Sequence, residues 1–263
     1  MKKTAPIGIF DSGVGGSSIW KEIHQLLPNE NTIYLADSAN APYGNRSEAE
    51  IVALSIKNTE VLISMGCKLI VVACNTATTN AIDILRTNYN IPIIGIEPAI
   101  KPAALQTRSK SIGILATKGT LSSTLFHKTS EAFTKDISVI EIVGEGLVPL
   151  IEKGALGSKE LQKLLEKYTA PMLAAKIDYL VLGCSHYPYL IPQLQKMLPE
   201  TVTIIDSGEA VARQTRLMLE NIALLSEEKE LPELQFYTNA EIDTLTFLLK
   251  EFEGKIHIQK KEF

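Results

Sequence analysis

The chain has 263 residues, 45% of them hydrophobic, with a net charge of −4 and three cysteines. That size suits one large domain or two modest ones around a substantial core. The weak acidity and the lack of a long basic block argue against nucleic acid as the main partner, the apolar runs are too short for a membrane-spanning helix or a signal peptide, and three cysteines in a chain this long do not make a disulfide framework. No C-x-x-C spacing suggests a zinc site. We expect a soluble cytoplasmic protein.

In chain order, "PIGIF" reads as a first strand and runs into the glycine-rich turn "FDSGVGGSS", Phe10 to Ser18. "TIYLA" is a second strand that ends at Asp37. Ser47 to Met65 reads as an amphipathic helix: Ser47 caps it, Glu50 answers as a capping box, Ile51, Leu54, Val61, Leu62 and Met65 recur at helical spacing, and Gly66 stops it. "LIVVA" then ends at Cys74, and "IPIIGI", "SIGILA" and "ISVIEIV" follow. Glu152, in "LVPLIEKG", reads by pattern alone as an ordinary helix-surface carboxylate. "YLVLG" ends at Cys184, and "TVTIID" completes eight short runs rich in Ile, Val and Leu, the pattern of parallel strands buried on both faces. "LSEEKELPELQFYTNA" reads as an acidic loop leading into a last strand and helix, and the basic tail "KIHIQKKEF" as a solvated strand end. Strands alternating with helices indicate α/β architecture.

The chain also echoes itself. "IGIFDSG" resembles "IGILATKG", "LIVVACNT" resembles "YLVLGCSH", and "IPIIGIEPA" resembles "VTIIDSGEA", at offsets of 105, 110 and 111 residues. Three matches in one order predict two similar α/β units. Ligands of parallel sheets sit at the carboxyl ends of strands. Asp11, Asp37, Cys74 and Cys184 all fall there, so two facing units would bring them to one cleft, with the cysteines on opposite sides. A thiolate accepts a proton and a thiol returns one. One cysteine on each face of a bound carbon can therefore invert a stereocentre. His186, two residues after Cys184, can polarise that thiol, and Asp11 can do the same for Cys74. Cys67, before "KLIVVA", reads as a small buried hydrophobe.

Rival readings remain at this stage. Gly13, Gly15 and Asp37 match part of a dinucleotide fingerprint, but Ser18 stands where its third glycine belongs and Asp11 would repel a pyrophosphate. The same turn suits a carboxylate held by helix N–H groups. Two α/β units around a cleft also suit a non-catalytic amino-acid sensor. A racemase or decarboxylase acting on another small acid is a third reading.

"GIFDSGVGG", "YLADSANAPYGNRS", "ACNTATTNA", "GIEPA", "LVPLIEKG" and "GCSHYP" together resemble the glutamate racemases of the cofactor-independent aspartate/glutamate racemase family, from residue 8 to about 210. Aspartate racemases are less similar, because they carry His and Glu where this chain has Thr78 and His186. The resemblance implies two pseudo-symmetric doubly wound α/β domains with mainly parallel sheets and an interdomain active-site cleft, one domain comprising 1–98 plus 211–263 and the other 99–210. It implies interconversion of L- and D-glutamate without pyridoxal phosphate or metal, supply of D-glutamate for peptidoglycan, and a homodimer. Among site residues, it implies that Cys74 deprotonates D-glutamate and Cys184 L-glutamate, with Asp11 assisting the first and His186 and Glu152 near the second. Asp11, Ser12, Asp37, Tyr43, Gly44, Asn75, Thr76, Thr117, Thr120, Ser185 and His186 would surround the substrate. Ser185 replaces the family's usual threonine but keeps the hydroxyl. Trp20 stands where a smaller or aliphatic residue is common, and is expected to pack.

Overall fold

The computed structural model describes residues 2–227 and 230–263, so two residues of the acidic segment before the last strands lie outside the described residues. The elements run β1 (Ile7–Asp11), α1 (Ser17–Leu26), β2 (Thr32–Ala36), α2 (Glu48–Ser64), β3 (Leu69–Val72), α3 (Asn75–Asn88), β4 (Ile93–Gly95) and α4 (Ile100–Gln106). Next come β5 (Ser111–Ala116), α5 (Lys118–Leu121), α6 (Thr124–Phe133), β6 (Ser138–Val143), α7 (Leu147–Glu152), α8 (Lys159–Ala174) and β7 (Tyr179–Gly183). The chain closes with α9 (Ile191–Met197), β8 (Thr203–Ile205), α10 (Gly208–Asn221), β9 (Leu234–Thr238), α11 (Asp243–Leu248) and β10 (His257–Lys260).

The strands form two sheets, ordered β10-β9-β2-β1-β3-β4 and β6-β5-β7-β8. Their pairings are parallel. Strands β1, β2 and β3 are buried along their whole length, which is why they read as unbroken apolar runs. β6 is an edge strand and exposes part of its length. The internal echo is carried into the hydrogen-bond register. Ile70 pairs with Ile93 in the first sheet, and their counterparts at the sequence offsets, Leu180 and Ile204, pair in the second. Likewise Ile7 pairs with Leu69, and Ile112 with Tyr179. β1, β3 and β4 are thus repeated as β5, β7 and β8, and the final β9 and β10 extend the first sheet only.

Local chemistry accounts for the elements. The Ser47–Glu50 capping box closes the start of α2, with Ser47 Oγ accepting from Glu50 N and Glu50 Oε2 accepting from Ser47 N at 3.0 Å. Gly66, at φ +79°, takes the left-handed turn that ends it. Trp20 does pack: it is fully buried, its indole N–H donates to Thr32 Oγ1 at 2.9 Å, and its ring meets Phe236 edge-on at 4.7 Å. One apolar cluster runs from Ile7, Trp20 and Phe236 through Leu147 and Ile151 to Leu180 and Leu190, so the two units share a core. The outer faces of the two sheets carry separate clusters around Leu62 and Leu85, and around Ile114 and Phe126. The chain passes between units near Glu97 and Ser207, and the Ser207 hydroxyl donates to the Glu97 carbonyl. These paired crossings leave the carboxyl ends of β1, β3, β5 and β7 to meet across a cleft.

Candidate active site

Cys74 follows β3 and caps α3. Its Sγ accepts from the Ala77 N–H at 3.4 Å, the position where a helix N-terminus favours negative charge. Asp11 ends β1 and is fully buried. It accepts the Gly16 N–H at 2.7 Å, the Ser12 hydroxyl at 3.4 Å and, from the other unit, the Ser185 hydroxyl at 3.2 Å. Burial pushes the Asp11 carboxyl up, against the pull of the His186 charge and the Gly16 N–H. Burial, reinforced by the Asp11 charge, pushes the Cys74 thiol well up, with the Ala77 N–H and the Ser12 hydroxyl opposing. Cys74 thus lies between the start of a helix and the buried carboxyl group of Asp11.

Cys184 follows β7 and has a different neighbour. His186 Nδ1 lies 3.8 Å from Cys184 Sγ and 3.9 Å from Asp11 Oδ2, and Nε2 lies 2.5 Å from Glu152 Oε1. Burial alone would lower the imidazole's pKa. The hydrogen bonds to Cys184 and Glu152, with the Asp11 charge, outweigh it and raise the pKa well above its ordinary value. One ring nitrogen thus faces the sulfur and the other faces Glu152.

Both cysteines line one cavity, together with Ser12, Tyr43, Gly44, Asn75, Thr76, Thr117, Ser185 and His186. Pro42 and Val148 complete the wall. Its free volume is about 10 Å³, room for roughly one water. The cavity must therefore widen before an amino acid fits. Among the described residues no Lys or Arg lines the cavity, and its polar lining consists of hydroxyls, an amide, two thiols and an imidazole. Both polar atoms of the Asn75 side chain are buried without a hydrogen-bond partner among the described residues, a cost of about 1–3 kcal/mol that a bound polar ligand would relieve. Thr76 and Thr117 bridge the units at 2.8 Å, backed by Thr120 at 3.0 Å from Thr117.

The geometry revises several sequence expectations. Asp37 was expected among the substrate-surrounding residues but does not line the cavity. It is fully buried behind the wall, where it accepts from Tyr43 Oη at 2.5 Å, Asn239 Nδ2 at 2.5 Å and Asn40 Nδ2 at 2.8 Å, and lies 3.7 Å from Lys57 Nζ. Its place is to hold the 38–45 segment that presents Tyr43 and Gly44. Thr120 is likewise one layer back, fully buried behind Thr76 and Thr117. Glu152 is not an ordinary surface carboxylate. Only 14% of its side chain is exposed, and it binds His186, the Val14 N–H and the Ser38 hydroxyl. The glycine-rich turn is explained by the same contacts. A Cβ on Gly13 would lie 1.9 Å from Glu152 Oε1, and one on Gly15 2.2 Å from His186 Nδ1. Side chains of the second unit fill the space a pyrophosphate would need, so the dinucleotide reading fails. Sequence reasoning missed Ser38, Pro42 and Val148; all three lie inside quoted motifs, but no pattern marked them individually. Cys67 is buried away from the site, its thiol pushed up to about 12 by burial.

Among the described residues no group of three or more His, Cys, Asp and Glu side chains is arranged to hold a metal ion, and no helix is long and apolar enough to cross a membrane. Two parallel α/β units face each other across a cleft with a strand-end cysteine from each, and the comparisons with known proteins give the family. The sequence profile of the Asp/Glu/hydantoin racemase family matches residues 7–215. The chain is 48% identical over 223 residues to a glutamate racemase of Pseudomonas syringae pv. tomato, covering 84% of this chain and 81% of that protein. It superposes on the Escherichia coli glutamate racemase in complex with L-glutamate and the activator UDP-MurNAc-Ala, with a TM-score of 0.85, 34% identity and coverage of 97% and 98%. It also superposes on the Francisella tularensis glutamate racemase in complex with D-glutamate, with a TM-score of 0.84, 28% identity and coverage of 99% and 98%. The chain belongs to the Asp/Glu/hydantoin racemase family, and within it to the glutamate racemases.

Proposed function

We propose that the protein interconverts L- and D-glutamate by a two-base, cofactor-independent route through Cys74 and Cys184. The observation that carries this reading is that both sulfurs line a single cavity, each following an equivalent strand of its unit. The relatives' glutamate complexes supply the substrate. In the L-to-D direction the Cys184 thiolate takes the α-proton. The Cys74 thiol then delivers its proton to the opposite face, leaving Cys184 as thiol and Cys74 as thiolate. The D-to-L direction reverses every transfer. Asp11 serves Cys74, and His186 with Glu152 serves Cys184.

The difficult intermediate is a carbanion beside a carboxylate. Asn75, whose side chain has no partner among the described residues, would donate to the substrate carboxylate as its charge grows. Ser12, Thr76 and Ser185 would do so after turning from their present partners Asp11 and Thr117. Such donation is the interaction that usually contributes most to catalysis. Closing the cleft excludes water and strengthens each donor. We take 1–98 with 211–263 as one domain and 99–210 as the other. A cytoplasmic enzyme of this kind, paired as a homodimer, would supply D-glutamate to peptidoglycan precursors.

Purified protein without added cofactor should convert L-glutamate to an optically inactive mixture, measured by polarimetry, and should leave L-aspartate largely unchanged. Binding of glutamate with no loss of optical activity would favour a sensor; preferred turnover of aspartate would overturn the substrate.

A further inference from the structure

Glu152 belongs to the second unit, yet three groups of the first unit hold it. The Val14 N–H donates to Oε1 at 2.7 Å, the Ser38 hydroxyl donates to Oε2 at 2.9 Å, and the Thr244 hydroxyl donates to the main-chain carbonyl at 2.8 Å. The same Oε1 meets His186 Nε2 at 2.5 Å, and His186 Nδ1 faces Cys184 Sγ at 3.8 Å. One carboxylate thus stands between an interdomain contact and a cysteine. The cavity holds about 10 Å³ and must widen to admit a ligand, and its wall is made by both units. Parting them removes Val14 and Ser38 from Glu152 but leaves His186 with it, because α7 and the segment after β7 belong to the same unit.

We propose that Ser38, with the Val14 main-chain N–H, is a positioning residue that latches Glu152 across the closed cleft and thereby sets how tightly the His186–Glu152 pair holds its proton. The proposal rests on reading the cleft as a two-cysteine racemase site. Hydrogen bonds to a carboxylate stabilise its charge and weaken its basicity. With both donors in place, Glu152 grips the imidazolium proton less; with them gone, it grips more. Closure therefore lowers the proton affinity of the pair at the moment the substrate is enclosed, next to the sulfur that must cycle between thiol and thiolate. The other groups facing the pair are Asp11 Oδ2, 3.9 Å from His186 Nδ1, and Cys184. On the outer side, Lys153, Glu241 and Asp243 line an open groove that meets Glu152, with Glu241 paired to Lys260. Those outer charges are screened by solvent. Gly13 keeps the latch possible, since a Cβ there would lie 1.9 Å from Glu152 Oε1.

The test is the pH profile of kcat, measured with L- and with D-glutamate, for wild type, Ser38→Ala and Ser38→Thr. The informative limb is the one that His186→Asn abolishes. In Ser38→Ala it should move up by ~0.5–1 pH unit, the scale of one hydrogen bond to a charged group. Ser38→Thr, which keeps the hydroxyl, should return it to the wild-type position. A Ser38→Ala limb that stays in place or moves down overturns the latch, and a lowered Tm with an unmoved limb assigns Ser38 to packing. Wild type that neither racemises glutamate nor exchanges its α-hydrogen sinks the underlying reading; an active wild type with an unmoved limb sinks the latch alone.

Discussion

Cys74 and Cys184 follow equivalent strands, β3 and β7, in sheets that share their register, yet their surroundings differ in charge. The first sulfur caps a 14-residue helix and lies beside a buried carboxylate, Asp11. The second is followed by a 3₁₀ turn, Tyr187–Leu190, and lies beside the His186 imidazole, which is bonded to Glu152. Duplication of the fold supplies the mirror-related positions, and the unlike neighbours give each sulfur its own polar partner, a buried carboxyl group for Cys74 and an imidazole for Cys184.

Removing either sulfur should break this comparison most completely. Cys74→Ala and Cys184→Ala should each lose racemisation by at least ~10²–10⁴-fold, the usual worth of one acid or base, with Tm near wild type. Residual deuterium exchange should differ between them: into D-glutamate when only Cys74 remains, and into L-glutamate when only Cys184 remains. Exchange into the same enantiomer in both variants would remove the assignment of faces.

The helpers come next. Enantiomers have equal free energy in water, so kcat/KM must be the same in both directions for any variant, and asymmetry can show only in kcat and KM separately. His186→Asn should lower kcat more for L-glutamate than for D-glutamate, and Asp11→Asn the reverse, each by about 10–10²-fold in the affected direction. Matching losses of kcat in both directions for both variants would show that the helpers do not belong to sides.

The smallest effect separates chemistry from stability. Asp178 precedes β7, at the opposite end from Cys184, and accepts from Thr107 Oγ1 at 2.6 Å and from the Arg108 and Ser109 N–H groups at 2.6 and 2.9 Å. Its modest burial raises the carboxyl's pKa, but those donors outweigh it and bring it down to about 2 from 3.8. The stabilisation is complete above the unfolded value and fades as the pH falls through about 2. Asp178→Asn should cost about 1 kcal/mol at neutral pH, given the group's partial hydration, and leave kcat unchanged. Denaturant titrations should show the gap between variant and wild type closing toward pH 2; a gap independent of pH would mean that the lost interaction is not the carboxylate's charge.

Much of this arrangement is legible in the residues themselves. The eight apolar runs, the Ser47–Glu50 cap and the two strand-end cysteines depend on local pattern, and the offsets of 105, 110 and 111 residues reappear as strand register. The partners of Glu152 do not depend on local pattern. They come from His186, distant in sequence within the same unit, and from residues 14 and 38 of the other unit, which meet Glu152 across the closed cleft. For the same reason Gly13 and Gly15 resemble part of a phosphate-binding turn until the side chains opposite them are seen. Asp37 ends a strand just as Asp11 does, and only the packing of Tyr43 and Asn239 over it shows that it faces the loop rather than the cavity. The placement of β9 and β10 beside β2 is a long-range pairing that no short window contains.

Transfer of hydrogen between opposite faces is read most directly in heavy water. L-glutamate incubated with the protein in deuterium oxide, sampled early and resolved into enantiomers, should give D-glutamate carrying one deuterium at the α-carbon while the remaining L-glutamate stays unlabelled. Product that retains its original hydrogen, or label appearing equally in both enantiomers from the first turnovers, would mean that a single group serves both faces.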